Sequence, residues 1–339
     1  MTRSLALAAV SALALLALVP AASAAPAAGT PGMKIIDRIA GPDGGWDYAS
    51  FDAARNRVYV AHGQQVTMID ARTGKVTPAF AEGDHLHAVV PVPNSDRLVT
   101  TNSGDKSARV IDANTGKLIA SIPTPDDPDS AIYDPHTGDV IVIGGDSGTI
   151  TLIDPKTAKA VGDLAPGGKL EFAVPDGKGR LFVNAEDKNE VVVVDLDARK
   201  VVAHYPMSGC LRPTGLAYVQ GHRLIAACQS VAKILDADTD HDVATLPIGV
   251  GPDAVIYDAA RSLAYVPSGR AGTLAVIALA GPKNNTVIET VPTKTGARTG
   301  TVDTATGRVY LPSADYVPAV TGQRPAMKPG SFQVLVLGK

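Results

Sequence analysis

The chain has 339 residues, with 31 Lys plus Arg against 34 Asp plus Glu, a formal net charge of −3, and 45% hydrophobic residues. That length is ample for a large core. The charge balance argues against a general nucleic-acid binder, which needs a basic face to neutralise phosphates.

The first residues read as an export signal. Arg3 supplies the positive start, Leu5 to Val19 form an apolar run of 15 residues, and Ala22-Ser23-Ala24 offers a small-residue cleavage site. The run is short for a membrane span and no stop-transfer pattern follows, so no span is expected after cleavage. The expected organisation is a signal peptide at 1–24, a flexible Ala/Pro/Gly-rich leader at 25–33, and one domain at 34–339. Localisation is expected to be periplasmic or secreted.

Beyond the leader a repeat of about 42 residues takes over. An apolar strand ending in aspartate recurs as Val66–Asp70, Ala108–Asp112, Ile150–Asp154, Val191–Asp195 and Ala232–Asp236, with spacings of 42, 42, 41 and 41 residues. Turn chemistry follows each aspartate, as in Ala71-Arg-Thr-Gly74 and Ala113-Asn-Thr-Gly116. A second type of strand precedes each unit in seven copies, from Arg57-Val-Tyr-Val60 to Arg308-Val-Tyr-Leu311. Earlier strands ending in polar turns complete four per period, and helical periodicity is absent. The pattern predicts an all-β fold, a seven-bladed β-propeller of four-stranded antiparallel blades. Lys34–Ile39 is expected to supply the missing outer strand of the last blade and so close the ring.

Aligning the repeats brings one position, five residues before the end of each innermost strand, into register: Asp47, His87, Asp129, Glu171, Thr214, Asp253 and Arg298. These are expected to ring the mouth of the central channel. At an effective dielectric near 20, like charges about 6 Å apart repel by roughly 3 kcal/mol, so arginine, protonation, water or a bound cation must offset them. Loops on the same face add His62, Asn102, Asp105, Asp146, Asn184, Glu186, Asp187, Ser268, Arg270 and Ser313, with Trp46, His85 and Arg212 beside the ring. Two readings stand here: polar lining that holds water, and a ligand site in a concave polar cluster. The ligand-site reading takes Trp46, Asp47, His87, Asp129, Glu171, Glu186, Asp253 and Arg298 as binding residues. Asp47, His87, Asp129 and Glu171 form an oxygen-rich set suited to one divalent cation in the channel.

Cys210 and Cys228 fall in one repeat, and in an exported protein they are expected to form a disulfide. Nucleophile-elbow, Walker, His-Glu-x-x-His and Cys-x-x-Cys motifs are absent, and no catalytic residue is assigned. Gly144-Gly-Asp-Ser-Gly148 reads as a hairpin. The segment 314–330, with Pro318, Pro325 and Pro329, is a long insert on the mouth face.

The stretch Arg57-Val-Tyr-Val-Ala-His62 through Ile69-Asp-Ala-Arg-Thr-Gly-Lys75 resembles the YVTN-repeat, YncE-like group of exported bacterial β-propellers. Gly45-Trp-Asp-Tyr48, Gly167-Gly-Lys-Leu-Glu-Phe172, Cys210-Leu-Arg-Pro-Thr-Gly-Leu216 and Gly296-Ala-Arg298 agree with it too. Leu170, Ala88 and the loop Arg270-Ala-Gly-Thr273 depart from its pattern. The resemblance covers nearly all of the chain after the leader. It implies an exported propeller with scaffolding or binding roles. The expected function is therefore a monomeric, non-catalytic propeller that takes a small ligand, ion or partner protein at the channel mouth, with nucleic acid disfavoured. A metal-dependent, lactonase-like hydrolase and a pure interaction scaffold are the alternatives.

Overall fold

A computed structural model describes residues 32–281, 284–318 and 325–339. The expected signal at 1–24, most of the leader, and part of the insert lie outside the described residues. Gly32 and Met33, at the leader's end, are docked: both backbone amides donate to Glu289 Oε2, and Met33 joins a buried apolar cluster.

Strand β1 (Lys34–Ala40) belongs to the last sheet, described below. The first sheet in the chain holds β2 (Ala49–Asp52), β3 (Arg57–Asp70), β4 (Val76–Pro91), β5 (Arg97–Asn102), β6 (Ser107–Asp112) and β7 (Leu118–Pro123), in that spatial order. A second sheet follows from β8 (Pro128–Tyr133), β9 (Val140–Gly144), β10 (Thr149–Asp154) and β11 (Lys159–Leu164). The third has β12 (Leu170–Pro175), β13 (Arg180–Ala185), β14 (Glu190–Asp195) and β15 (Lys200–Pro206). The fourth has β16 (Leu216–Val219), β17 (Arg223–Ala227), β18 (Val231–Asp236) and β19 (Asp242–Pro247). The fifth has β20 (Ile256–Asp258), β21 (Leu263–Ser268), β22 (Thr273–Leu279) and β23 (Asn285–Pro292). In the last, β24 (Thr301–Asp303), β25 (Arg308–Ser313) and β26 (Gln333–Gly338) are completed by β1, which pairs antiparallel from Lys34↔Gly338 to Ala40↔Gln333.

The fold is an all-β propeller, but the expected count is corrected. Among the described residues the blades form six sheets rather than seven, five of four strands and one of six. The difference arises in the first sheet. Fourth strands β7, β15, β19 and β23 each end in proline, which has no N–H to carry a ladder onward. The corresponding stretch Ala79–Val90 contains no proline, so β4 runs 16 residues from one repeat into the next. Likewise β3 passes through Gly63 (φ +61°) with register shifts instead of a turn, and continues for 14 residues.

Burial peaks in the second and third strands of the sheets and is lowest in the outermost. Strand β9 is buried throughout, whereas β11 and β15 are largely exposed and alternate. Apolar layers fill the gaps between sheets. One packs Ile141, Ile143, Ile150 and Leu152 against Leu181, Val183, Val192 and Val194, each such side chain contributing about 1.5–3 kcal/mol on burial.

Repeat aspartates at the ends of the third strands owe their recurrence to turn geometry. Asp70 Oδ1 accepts the amides of Arg72 and Thr73, Asp112 those of Asn114 and Thr115, and Asp236 those of Asp238 and Thr239. The glycines that follow, Gly74 and Gly116, take φ of +72° and +74°, and Ala158 occupies the same left-handed region at +54°. Gly144 to Gly148 is the turn of the β9–β10 hairpin, as expected.

Candidate functional site at the channel mouth

The register-aligned charges come from separate repeats and meet around the axis, Asp47 and His87 from the first sheet and the others from the sheets that follow. Their backbones are held by bonds that pass between neighbouring repeats. Thr101 Oγ1 donates to the Asp129 carbonyl (2.7 Å), Ser130 Oγ to that of Glu171 (2.9 Å), Asn184 Nδ2 to that of Thr214 (2.8 Å), and Thr299 Oγ1 to that of Asp47 (2.7 Å). The Tyr48 amide donates to the His87 carbonyl at 3.0 Å. This belt of buried hydroxyls and amides fixes where each charged side chain starts.

One group centres on His87. Its Nδ1 lies 2.8 Å from Asp47 Oδ2 and 3.2 Å from Asp129 Oδ1. Nε2 lies 3.0 Å from Ser103 Oγ, which is 2.8 Å from His85 Nδ1. With both ring nitrogens protonated, the imidazolium places one N–H between the carboxylates and donates the other to Ser103. Burial opposes that charge, but the Asp47 hydrogen bond and the Asp129 and Asp47 charges outweigh it, and the His87 pKa rises. Burial, with the Asp47 charge, pushes the Asp129 carboxyl up to about 7. The ligating atoms of Asp47, His87 and Asp129 all fall within 4.8 Å of one another, the spacing of a cation site.

A second group is anchored by Arg298. Its Nε donates to Asp253 Oδ2 at 2.7 Å, and Nη2 lies 3.4 Å from Asp47 Oδ1 and from the Trp46 carbonyl. Burial raises the Asp253 carboxyl to about 6 even though Arg298 favours its ionised form. The third group joins Lys169, Glu171, Glu186 and Arg212. Lys169 Nζ is 2.6 Å from Glu186 Oε2 and 3.6 Å from Glu171 Oε1, and Arg212 Nη2 is 2.6 Å from Glu186 Oε1. Burial, followed by the Asp129 and Asp253 charges, pushes Glu171 up to about 9. Burial acts on Glu186 in the same sense, but its bonds from Lys169 and Arg212 prevail and hold it below the usual carboxylate range.

Glu171, Glu186, Arg212, Asp253, Arg270 and Arg298 line an open cavity of about 730 Å³, with Tyr316 and Pro325 of the insert on its wall. Asp47, His87 and Asp129 lie beside it, and Glu171 stands with Lys169 and Glu186 rather than in the His87 trio. Trp46 is buried against Phe332 (5.3 Å) and Tyr316 (6.4 Å), so its indole packs the core beneath the insert, and Tyr316 faces the cavity. Cys210 and Cys228 are bonded, Cα atoms 5.3 Å apart, and the bridge holds the loop carrying Arg212 beside Gln229, whose amide donates to the Leu211 carbonyl. The disulfide fits an oxidising compartment. Among the described residues no helix is long and apolar enough to cross a membrane.

Sequence reading missed Lys169, Ser103, Tyr48 and Phe172. The Tyr48 and Phe172 rings, from different sheets, meet 5.2 Å apart across the bore. Both also line an apolar cavity of about 430 Å³ among the innermost strands. Burial, and then Asp253 and its neighbours, raises the Tyr48 phenol well above its ordinary value, so the ring's polar end faces the charged mouth. A Tyr and a Phe just past two register positions were the available signal.

These features define a β-propeller with a charged channel mouth. Solved structures agree on the fold. A chain of Kuenenia stuttgartiensis hydrazine synthase is 17% identical with a TM-score of 0.69, covering 79% of this chain and 92% of that one. One from the mitotic checkpoint complex is 15% identical, TM-score 0.71, covering 91% and 95%. U3-55K is 9% identical, TM-score 0.72, covering 90% and 99%. No family profile and no curated protein matches the chain.

Proposed function

We propose that this is an exported, non-catalytic β-propeller of the YVTN-repeat, YncE-like kind, which binds a small ligand, ion or partner protein on the channel-mouth face. One observation carries the reading. Five carboxylates contributed by four sheets and their loops, Asp47, Asp129, Glu171, Glu186 and Asp253, are gathered with His87, Lys169, Arg212 and Arg298 around an open cavity of about 730 Å³. Gathering unlike and like charges this tightly costs stability, which folding alone does not require. The YVTN-type strands and turns, the apolar N-terminal run and the disulfide support the exported class. Thermal-shift measurements with a panel of divalent cations and amines test the reading. Stabilisation by at least one probe, lost in Asp129→Asn/Glu171→Gln, is the expected result. A hit that survives the double substitution overturns it.

The Asp47, His87 and Asp129 cluster favours a second reading, metal-dependent hydrolysis. Two carboxylates and one imidazole suit a hard or borderline divalent ion, and such an ion would polarise an ester carbonyl. Since the ion would replace the proton on His87 Nδ1, binding must release protons. Titration with Mn²⁺ at two pH values reads this directly, and uptake without proton release, or no uptake, removes the hydrolase.

A further inference from the structure

The mouth cavity is layered by charge. Its carboxylates lie deep and are already paired: the side chains of Glu186, Glu171 and Asp253 are 6%, 13% and 25% exposed. Its cationic heads lie nearer to solvent, with Lys169 at 43%, Arg212 at 67% and Arg298 at 37%. Arg270 is exposed and has no hydrogen-bond or ion-pair partner among the described residues. Four basic residues therefore stand over three carboxylates, and a molecule arriving from solvent meets N–H donors first.

Two glycines hold the arginines in place. A Cβ on Gly251 would lie 2.6 Å from Arg270 Cγ, and Gly251 has φ of +73°. A Cβ on Gly269 would lie 2.7 Å from Arg298 Cβ. Bare backbone thus lets both stems pass close to neighbouring loops and brings the guanidinium groups to one wall. Arg298 spends Nε on Asp253 and Nη2 on Asp47 and the Trp46 carbonyl, while Arg270 spends no donor on a described residue. A guanidinium matches the geometry of a carboxylate or phosphate through two parallel N–H bonds.

We infer that this wall of the mouth takes an oxyanion group, carboxylate or phosphate, of a small organic ligand, with Arg270 as the principal donor and Arg298 and Arg212 beside it. The inference rests on the mouth being the binding face and names the ligand's chemistry there. The Tyr316 ring on the same wall packs beside the anion's carbon skeleton.

Calorimetric titration of the full chain at low salt with succinate, and separately with inorganic phosphate, tests it. One of the two should bind, and Arg270→Ala should weaken it about tenfold or more, with Arg270→Glu weaker still. Unchanged melting temperatures would show that both variants fold. Tighter succinate binding identifies an organic acid, and tighter phosphate binding identifies a phosphate ester, both with the same Arg270 dependence. Failure of both anions to bind at millimolar concentration overturns the inference, as does binding indifferent to Arg270. If calcium or an amine still binds and needs Asp129, the oxyanion idea fails alone and the mouth remains a binding face. If those probes fail as well, both fall.

Discussion

The two faces of the disc use aspartate in opposite ways. On the turn face Asp70, Asp112, Asp134 and Asp303 accept amides two or three residues further on. At the mouth Asp47, Asp129 and Asp253 find partners 40 residues away or more, in His87 and Arg298. A local acceptor costs nothing that the turn does not repay. A non-local cluster must be assembled by the whole ring and leaves Asp129, Glu171 and Asp253 with raised pKa values. The same residue type is thus a folding device on one face and a chemical resource on the other.

Four substitutions sharpen that contrast, from the largest expected effect downward. Cys210→Ala with Cys228→Ala opens an 18-residue closure that holds the Arg212 loop, and should lower unfolding free energy by about 3 kcal/mol. Urea denaturation reads it, and a loss below about 1 kcal/mol would contradict it. Arg298→Ala leaves Asp253 without its cation, while Asp47 keeps His87. A loss of about 2–3 kcal/mol is expected, largely restored by adding Asp253→Asn, and no restoration would mean that Arg298 acts through packing alone.

Glu171→Gln works in the other direction. The folded pKa of Glu171, about 9, lies above its ordinary 4.5, so the folded state holds the extra proton. The stability it contributes is complete below 4.5 and drains as pH climbs towards 9. The glutamine variant should therefore match the parent near pH 4 and exceed it by about 1–2 kcal/mol at pH 8. Equal pH slopes in the two proteins would show that Glu171 is not strained. Asp134→Ala removes a buried turn acceptor bonded by His136 N, Thr137 N and Thr137 Oγ1. It should cost about 1 kcal/mol, equally at pH 6 and pH 8, whereas a strong pH dependence would erase the distinction between the faces.

Much of this was legible in the sequence because repetition converts position into place. Strands, hairpin turns, the strand that closes the ring and the disulfide follow from local patterns. So does the register that brings Asp47, His87 and Asp129 together. The number of sheets was not legible in the same way. It depends on whether a ladder breaks between repeats, and the missing proline between Ala79 and Val90 lets β4 carry on where other fourth strands stop. Lys169, Ser103 and the Tyr48–Phe172 pair were missed for a different reason. Tyr48 and Phe172 meet across two sheets, while Lys169 and Ser103 bond to side chains of the adjoining strand or loop, and the strand pattern along the chain does not encode those side-chain contacts.

The meeting of Tyr48 and Phe172 has a consequence for traffic through the disc. The two rings, 5.2 Å apart, stand between the charged mouth and the apolar cavity among the innermost strands. A ligand moving inward from the rim would leave a charged lining for an apolar one, so its polar groups are favoured to stay on the charged side.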